Sequence, residues 1–252
     1  MPETDTSGGA DFGYRRVASE EKARLVRQVF DSVSPRYDLM NDLMSGGIHR
    51  LWKSALIDRL GPRPGQLLLD VAGGTGDISF RFLDRAGAGA RVIVCDINES
   101  MLRRGRDRAI DGGRLAGIEW LCGDAERLPV ASSSVDAYTI AFGLRNVTDI
   151  AAALAEARRV LKPGGRFLCL EFSHVEVPLL RQAYDLYSFT VLPLLGQAVA
   201  GDRAAYQYLA ESIRRFPAQR DLAAKMEEAG LERVTFSNLS GGIAALHSGW
   251  RL

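Results

Sequence analysis

Between Gln66 and Ser173 the sequence alternates short apolar runs with amphipathic helical patterns, and few folds accommodate that rhythm. The runs are QLLLDVAGG, ARVIVCDIN, IEWLCGDA, VDAYTIAFG and GRFLCLEFS, each ending in a turn or a polar group. Between most of them lie ISFRFLDRA, MLRRGRDRAI and DIAAALAEARRVLK, with apolar residues at helical spacing. Strands alternating with helices build βαβ units, and strands this continuously apolar must be buried on both faces. The expected class is therefore α/β, a doubly wound sheet with five parallel strands.

The flanks follow other rhythms. EEKARLVRQVFDSVS carries Leu25, Val26, Val29 and Phe30 on one helix face, and HRLWKSALIDRL is a second amphipathic helix closed by Gly61 and Pro62. Residues 174–231 read as several helices, longer than a single crossover requires. LERVTFSNL and GGIAALHSGWRL, joined through Ser240, Gly241 and Gly242, read as a terminal antiparallel hairpin. The expected division is a disordered lead-in over 1–16 and a single domain over 17–252. That domain comprises a helical lid (17–61), a nucleotide-binding core (62–173), a helical cap (174–231) and the hairpin (232–252).

Of 252 residues, 32 are basic and 31 acidic, a net charge of +1. That balance argues against a nucleic-acid surface, which needs a clustered basic excess. A hydrophobic content of 46% excludes disorder for most of the chain. The uncharged run Leu186 to Gly201 is shorter than a bilayer requires and is broken by Pro193 and Gly196. The N-terminus has no apolar stretch of the kind that marks a signal peptide, so a cytoplasmic chain is expected. Cys95, Cys122 and Cys169 fit no zinc spacing, and each falls in or at the end of a β-rich run, as small buried hydrophobes do.

The candidate chemistry lies at strand ends. Asp70-Val71-Ala72-Gly73-Gly74-Thr75-Gly76 joins a strand to a helix, and such a glycine-rich turn brings free backbone N–H groups close to a ligand. The dinucleotide fingerprint fails, because Ser79 stands at its third glycine, and no Walker lysine follows. The acid at Asp70, just before the glycines, suits a ligand with a positive group nearby. Asp96 closes the second strand, where a carboxylate can accept from both ribose hydroxyls. Asp124 with Ala125 follows the third, where an acid and a backbone N–H suit an adenine edge.

These residues, together with the LKPGG that precedes the fifth strand, resemble the Rossmann-like S-adenosylmethionine-dependent methyltransferases, whose seventh strand inserts antiparallel between the fifth and sixth. Ala72 stands where a glycine is common in that class. Longer segments resemble a narrower group. VFDSVSPRYDLMNDLMSGGIHRLWK, FGLRNVTD, RVLKPGGRFLCLEFS, AYDLYSFTVLPLLG, YLAESIRRFP and NLSGGIAALHSGW are similar to the ubiquinone/menaquinone biosynthesis C-methyltransferases, from about Val17 to the C-terminus.

The resemblance implies S-adenosylmethionine as cofactor, no metal, and a polyprenylated benzoquinol or naphthoquinol as substrate. It implies cofactor contacts at Thr75, Asp96, Asp124 and Ala125; Asp70, Gly74 and Gly76 of the glycine turn and Ala141 complete the expected cofactor site. Many members carry Asn at the position of Asp124 and Ser at that of Ala141, which leaves Ala141 only its backbone to offer. Arg145 is expected to stabilise the developing quinolate or to position a water, and Asn146 to bond the substrate; the alternative for Arg145 is a structural ion pair with an acid such as Asp149. Tyr37 is the expected substrate-facing hydroxyl, the alternative being a tyrosine that only packs. His49 reads as a capping or core residue rather than a proton carrier. The apolar stretch around Leu186–Gly201 suits an isoprenoid tunnel, a peripheral membrane contact at the inner membrane surface, or a homodimer face, and a quinone-biosynthesis complex is a further partner. Two other functions remain open: methylation of a different lipophile, and a non-catalytic scaffold.

Overall fold

The computed structural model describes residues 9–33, 42, 45–176, 178, 182, 184, 186–191 and 203–252. Nine strands are described: β1 (Gly9–Phe12), β2 (Arg15–Ala18), β3 (Leu67–Val71), β4 (Arg91–Asp96), β5 (Ile118–Cys122), β6 (Val135–Ala141), β7 (Leu161–Phe172), β8 (Glu232–Leu239) and β9 (Ala244–Arg251). Seven of these make one sheet in the order β5-β4-β3-β6-β7-β9-β8. The pairs among β3, β4, β5, β6 and β7 are parallel. β9 runs antiparallel between β7 and β8, so the terminal hairpin is threaded into the sheet as expected.

The helices are α1 (Ser19–Val33), α2 (His49–Leu60), α3 (Asp77–Ala86), α4 (Glu99–Asp111), α5 (Ile150–Val160), α6 (Arg203–Arg215) and α7 (Gln219–Glu228). Strand side chains alternate between two apolar layers. Leu68, Val92, Val94, Leu168 and Leu170 meet Trp52 and Leu56 of α2, Phe82 of α3 and Leu209 of α6. Leu69, Cys95, Phe167 and Cys169 meet Leu154 and Ala157 of α5 and Met226 of α7. Burial on both faces is what makes these strands read as unbroken apolar runs rather than as alternating ones. Local rules set the helix starts: Asn98 and Asp149 cap α4 and α5, each accepting two backbone N–H groups.

Two expectations are corrected. Residues 1–16 are not wholly a disordered lead-in, because β1 and β2 pair antiparallel about Gly13, whose φ is 58°. The anchors of this hairpin are remote in sequence: Phe12 stacks on Tyr208 with ring centroids 4.2 Å apart, and Tyr14 N–H donates to Glu211 Oε2 at 3.0 Å. No local pattern announces such a hairpin, and it takes Val17 into β2, so α1 begins only at Ser19. Cys122 is exposed while Cys95 and Cys169 are buried, because β5 is an edge strand and the chain turns away at Gly123.

Candidate active site

The turn after β3 is built on a buried acid. Asp70 accepts from Ser79 Oγ at 2.7 Å and from Thr139 Oγ1 at 2.8 Å, tying β3 to α3 and β6. Both its oxygens are engaged beneath the turn, and burial pushes its carboxyl up to about 6. It shapes the turn from below and does not line the cavity above. Gly73 is pressed between Val94 and the Asp70 carbonyl, where a Cβ would come within 2.7 Å. Gly74 takes φ 53°, and its N–H donates to Asp96 Oδ2 at 2.9 Å. Thr75 is buried and accepts from Arg108 Nη1 at 2.7 Å, while Gly76 (φ 81°) opens α3.

Ala72 takes φ 50°, a left-handed conformation that favours glycine. Space for its side chain comes from across the sheet: a Cβ on Gly143 would lie 2.3 Å from that of Ala72. The alanine that departs from the class pattern is thus matched by a glycine after β6. Between them, Phe142 also holds a positive φ of 58°.

Above this turn lies a cavity of about 830 Å³, counted out to its open mouth. Gly74, Asp96, Asp124, Ala125 and Asn146, all anticipated from sequence, line it together. Asp96 Oδ1 accepts from Asn98 N–H at 2.8 Å. Burial pushes the Asp96 carboxyl up to about 6 against the pull of the Asn98, Gly74 and Ile97 amides. Asp124 Oδ1 accepts from Glu126 N–H at 2.9 Å, folding the loop that carries Ala125. Thr75, Gly76 and Ala141 stand around this cavity without lining it.

Sequence reasoning missed one wall. Ala23, Val26 and Arg27 of α1 cover the cavity opposite the glycine turn. That helix is fastened by Lys22 Nζ, which donates to Val147 O at 2.8 Å, and by Asp31 Oδ1, which accepts from Asn98 Nδ2 at 2.9 Å and Ser100 Oγ at 3.0 Å. The apolar face of α1 was legible, but its place over a turn some 50 residues away was not.

At the other end, residues 144–146 form a 3-10 turn. Asn146 faces the cavity, whereas Arg145 points inward. Arg145 Nη1 bonds Glu171 Oε1 at 2.8 Å, with side-chain exposures of 2% and 1%, and also donates to the carbonyl of Phe142. Its Nε has no hydrogen-bond partner. Glu171 further accepts from the backbone of Arg145 and Phe172; burial pushes its carboxyl up, opposed by the charge of Arg145. The expected partner Asp149 is instead consumed as the cap of α5. A lone acid inside the apolar run FLCLEFS was the available signal for Glu171, since a buried carboxylate demands a counter-charge.

His49 is buried, bonds Asp42 Oδ1 through Nε2 at 2.9 Å, and is held by burial below the usual histidine range, hence neutral. Tyr37 lies outside the described residues, as does most of the Leu186–Gly201 stretch.

A sheet of this order, with a glycine turn and two acids at successive strand ends, has the form of the Rossmann-like methyltransferases. Solved structures agree on the fold. The [4+2]-cyclase SpnF matches with a TM-score of 0.67 at 18% identity, covering 91% of this chain and 96% of that one. A SAM-dependent methyltransferase of Thermotoga maritima matches with a TM-score of 0.64 at 19% identity, covering 90% and 100%.

The sequence pattern of the ubiE/COQ5 methyltransferase family matches residues 16–251, and the chain belongs to that family. Proteins named ubiquinone/menaquinone biosynthesis C-methyltransferase UbiE are similar along their whole lengths. That of Paracoccus denitrificans is 62% identical over 96% of both chains, and that of Cereibacter sphaeroides 58% identical over 98% of this chain and 99% of its own.

Proposed function

We propose that the chain transfers a methyl group from S-adenosylmethionine to a ring carbon of a polyprenylated quinol. The products would be menaquinol from demethylmenaquinol, and the 3-methyl product from 2-methoxy-6-polyprenyl-1,4-benzoquinol. The observation that carries this reading is family membership across 16–251 combined with the lining of the cavity, whose residues suit that cofactor. Asp96 would accept from the ribose hydroxyls, Asp124 and Ala125 would hold the adenine edge, and the Gly74 backbone, set by Gly76 behind it, would lie along the amino-acid portion. Asp70 and Thr75 hold the turn in shape, and Ala141 offers backbone beside it.

The bound cofactor supplies an electrophilic methyl on a sulfonium. In-line displacement needs mainly a fixed, dry approach, which α1 provides as a wall over the cavity. A ring carbon becomes nucleophilic as the neighbouring phenol loses its proton, so the site must stabilise an oxyanion. Asn146 donates to that oxygen. Arg145 is too basic to take the proton; paired with Glu171 and bonded to the Phe142 carbonyl, it fixes the turn that presents Asn146. Tyr37, which lies outside the described residues, is assigned the role of a hydroxyl facing the substrate. The cap (174–231) holds the tail, and a water-insoluble tail requires exchange at a membrane surface; among the described residues no helix is long and apolar enough to cross one.

Quinone profiling by mass spectrometry of a strain lacking this protein tests the proposal. Accumulation of the demethyl precursor, reversed by the wild-type chain, is the expected result. An unchanged quinone profile refutes it.

A further inference from the structure

The segment YLAESIRRFP, whose Tyr208 and Glu211 anchor the β1–β2 hairpin, is also carried by α6 to the edge of the site. Tyr208, in the first half of this segment's helix, is buried, and its hydroxyl donates to Asn146 Oδ1 at 3.1 Å. Asn146 has one acceptor end and one donor end. Oδ1 is taken by Tyr208, and among the described residues Nδ2, on a side chain that lines the cavity, has no hydrogen-bond partner.

We propose that Tyr208 is a positioning residue for methyl transfer, fixing the Asn146 amide so that its NH₂ faces the acceptor end of the cavity and donates to the quinol oxygen. This rests on the role given to Asn146 above. An amide has nearly the same shape when rotated by half a turn, so packing alone does not choose its orientation. Flipped, it would present a carbonyl to a developing oxyanion, and attraction would become repulsion. The buried Tyr208 hydroxyl makes the choice: towards Oδ1 it donates its proton, whereas against a flipped amide it could only accept, leaving that buried proton without an acceptor among the described residues.

Two features keep that hydroxyl in place and protonated. Burial raises its phenol far above the usual range, outweighing the opposing charge of Arg145, so it remains protonated at neutral pH. The Phe12 ring lies stacked on it, at 18° between planes. The β1–β2 hairpin therefore backs the site without lining it.

The test uses the purified full chain with a short-chain quinol, comparing wild type, Y208F, N146A and the double variant. Y208F keeps the ring and its stack and removes only the hydroxyl. The expected result is kcat lower by about 10-fold, the worth of one well-placed hydrogen bond, with KM for S-adenosylmethionine unchanged. The double variant should be no worse than N146A alone, because both substitutions remove one arrangement. Y208F with kcat within about twofold of wild type, beside an impaired N146A, overturns the positioning role alone. Additive effects overturn it as well. An unimpaired N146A overturns the role of Asn146 together with it, and a wild-type chain that methylates no quinol overturns the proposed function itself.

Discussion

Asp96 illustrates how much one side chain at a strand end contributes. Its carboxylate bonds the Gly74 amide while half-buried, and burial holds its pKa at about 6. Only the ionised form accepts from two hydroxyls, so protonation competes with cofactor. The sign follows directly: affinity is level above pH 7 and falls as pH drops through 6. At pH 5 about one tenth of the carboxyl is ionised, and the Kd for S-adenosylhomocysteine should be about 10-fold weaker than at pH 7. Calorimetric titration from pH 5 to 8 measures this, and Asp96→Asn should bind weakly with that dependence gone. A variant that keeps the wild-type slope would assign it to another group. Asp70, whose carboxyl also lies near 6, is buried beneath the turn and does not line the cavity, which separates its effect on stability from a direct effect on the ligand.

Among the elements, the β3 turn and the end of β6 must be considered as one unit. Ala72 tolerates its left-handed backbone because Gly143 leaves room for its methyl group. Gly143→Ala is expected to cost about 1–3 kcal/mol by overpacking and to weaken cofactor binding by moving the turn. Ala72→Gly should restore both in the double variant, while altering stability little on its own, since relief of strain is offset by greater freedom of the unfolded chain. Urea denaturation of the four proteins gives the coupling; additive costs would mean the two residues do not meet. Single-residue patterns revealed the glycine turn, because strained backbone restricts residue type locally. They did not reveal its coupling to Gly143, which depends on parallel pairing of β3 with β6 some 70 residues later.

Across the whole molecule the same division holds. The order of strands and helices was legible because burial on both faces writes an apolar run for each strand. Asp96 and the Asp124–Ala125 pair were legible from position alone. Asn146 was recognisable only through resemblance, since an asparagine in a short turn carries no periodicity. The β1–β2 hairpin and the α1 wall were illegible because their partners, Tyr208, Glu211 and the glycine turn, are remote in sequence. The cavity is consequently a joint product of the core and an N-terminal helix whose polar ties to it include Lys22 to Val147 and Asp31 to Asn98 and Ser100. A ligand that touches both halves should lock them together. At a concentration of 100 Kd, S-adenosylhomocysteine should add about 2.7 kcal/mol of stability, raising Tm by roughly 5–10 °C for a chain of this size. Hydrogen exchange locates that gain: amides of Ser19–Val33 should slow along with those of residues 72–76. Protection confined to the glycine turn would mean that α1 stays apart from the bound ligand, and the wall assigned to Ala23, Val26 and Arg27 would have to be withdrawn.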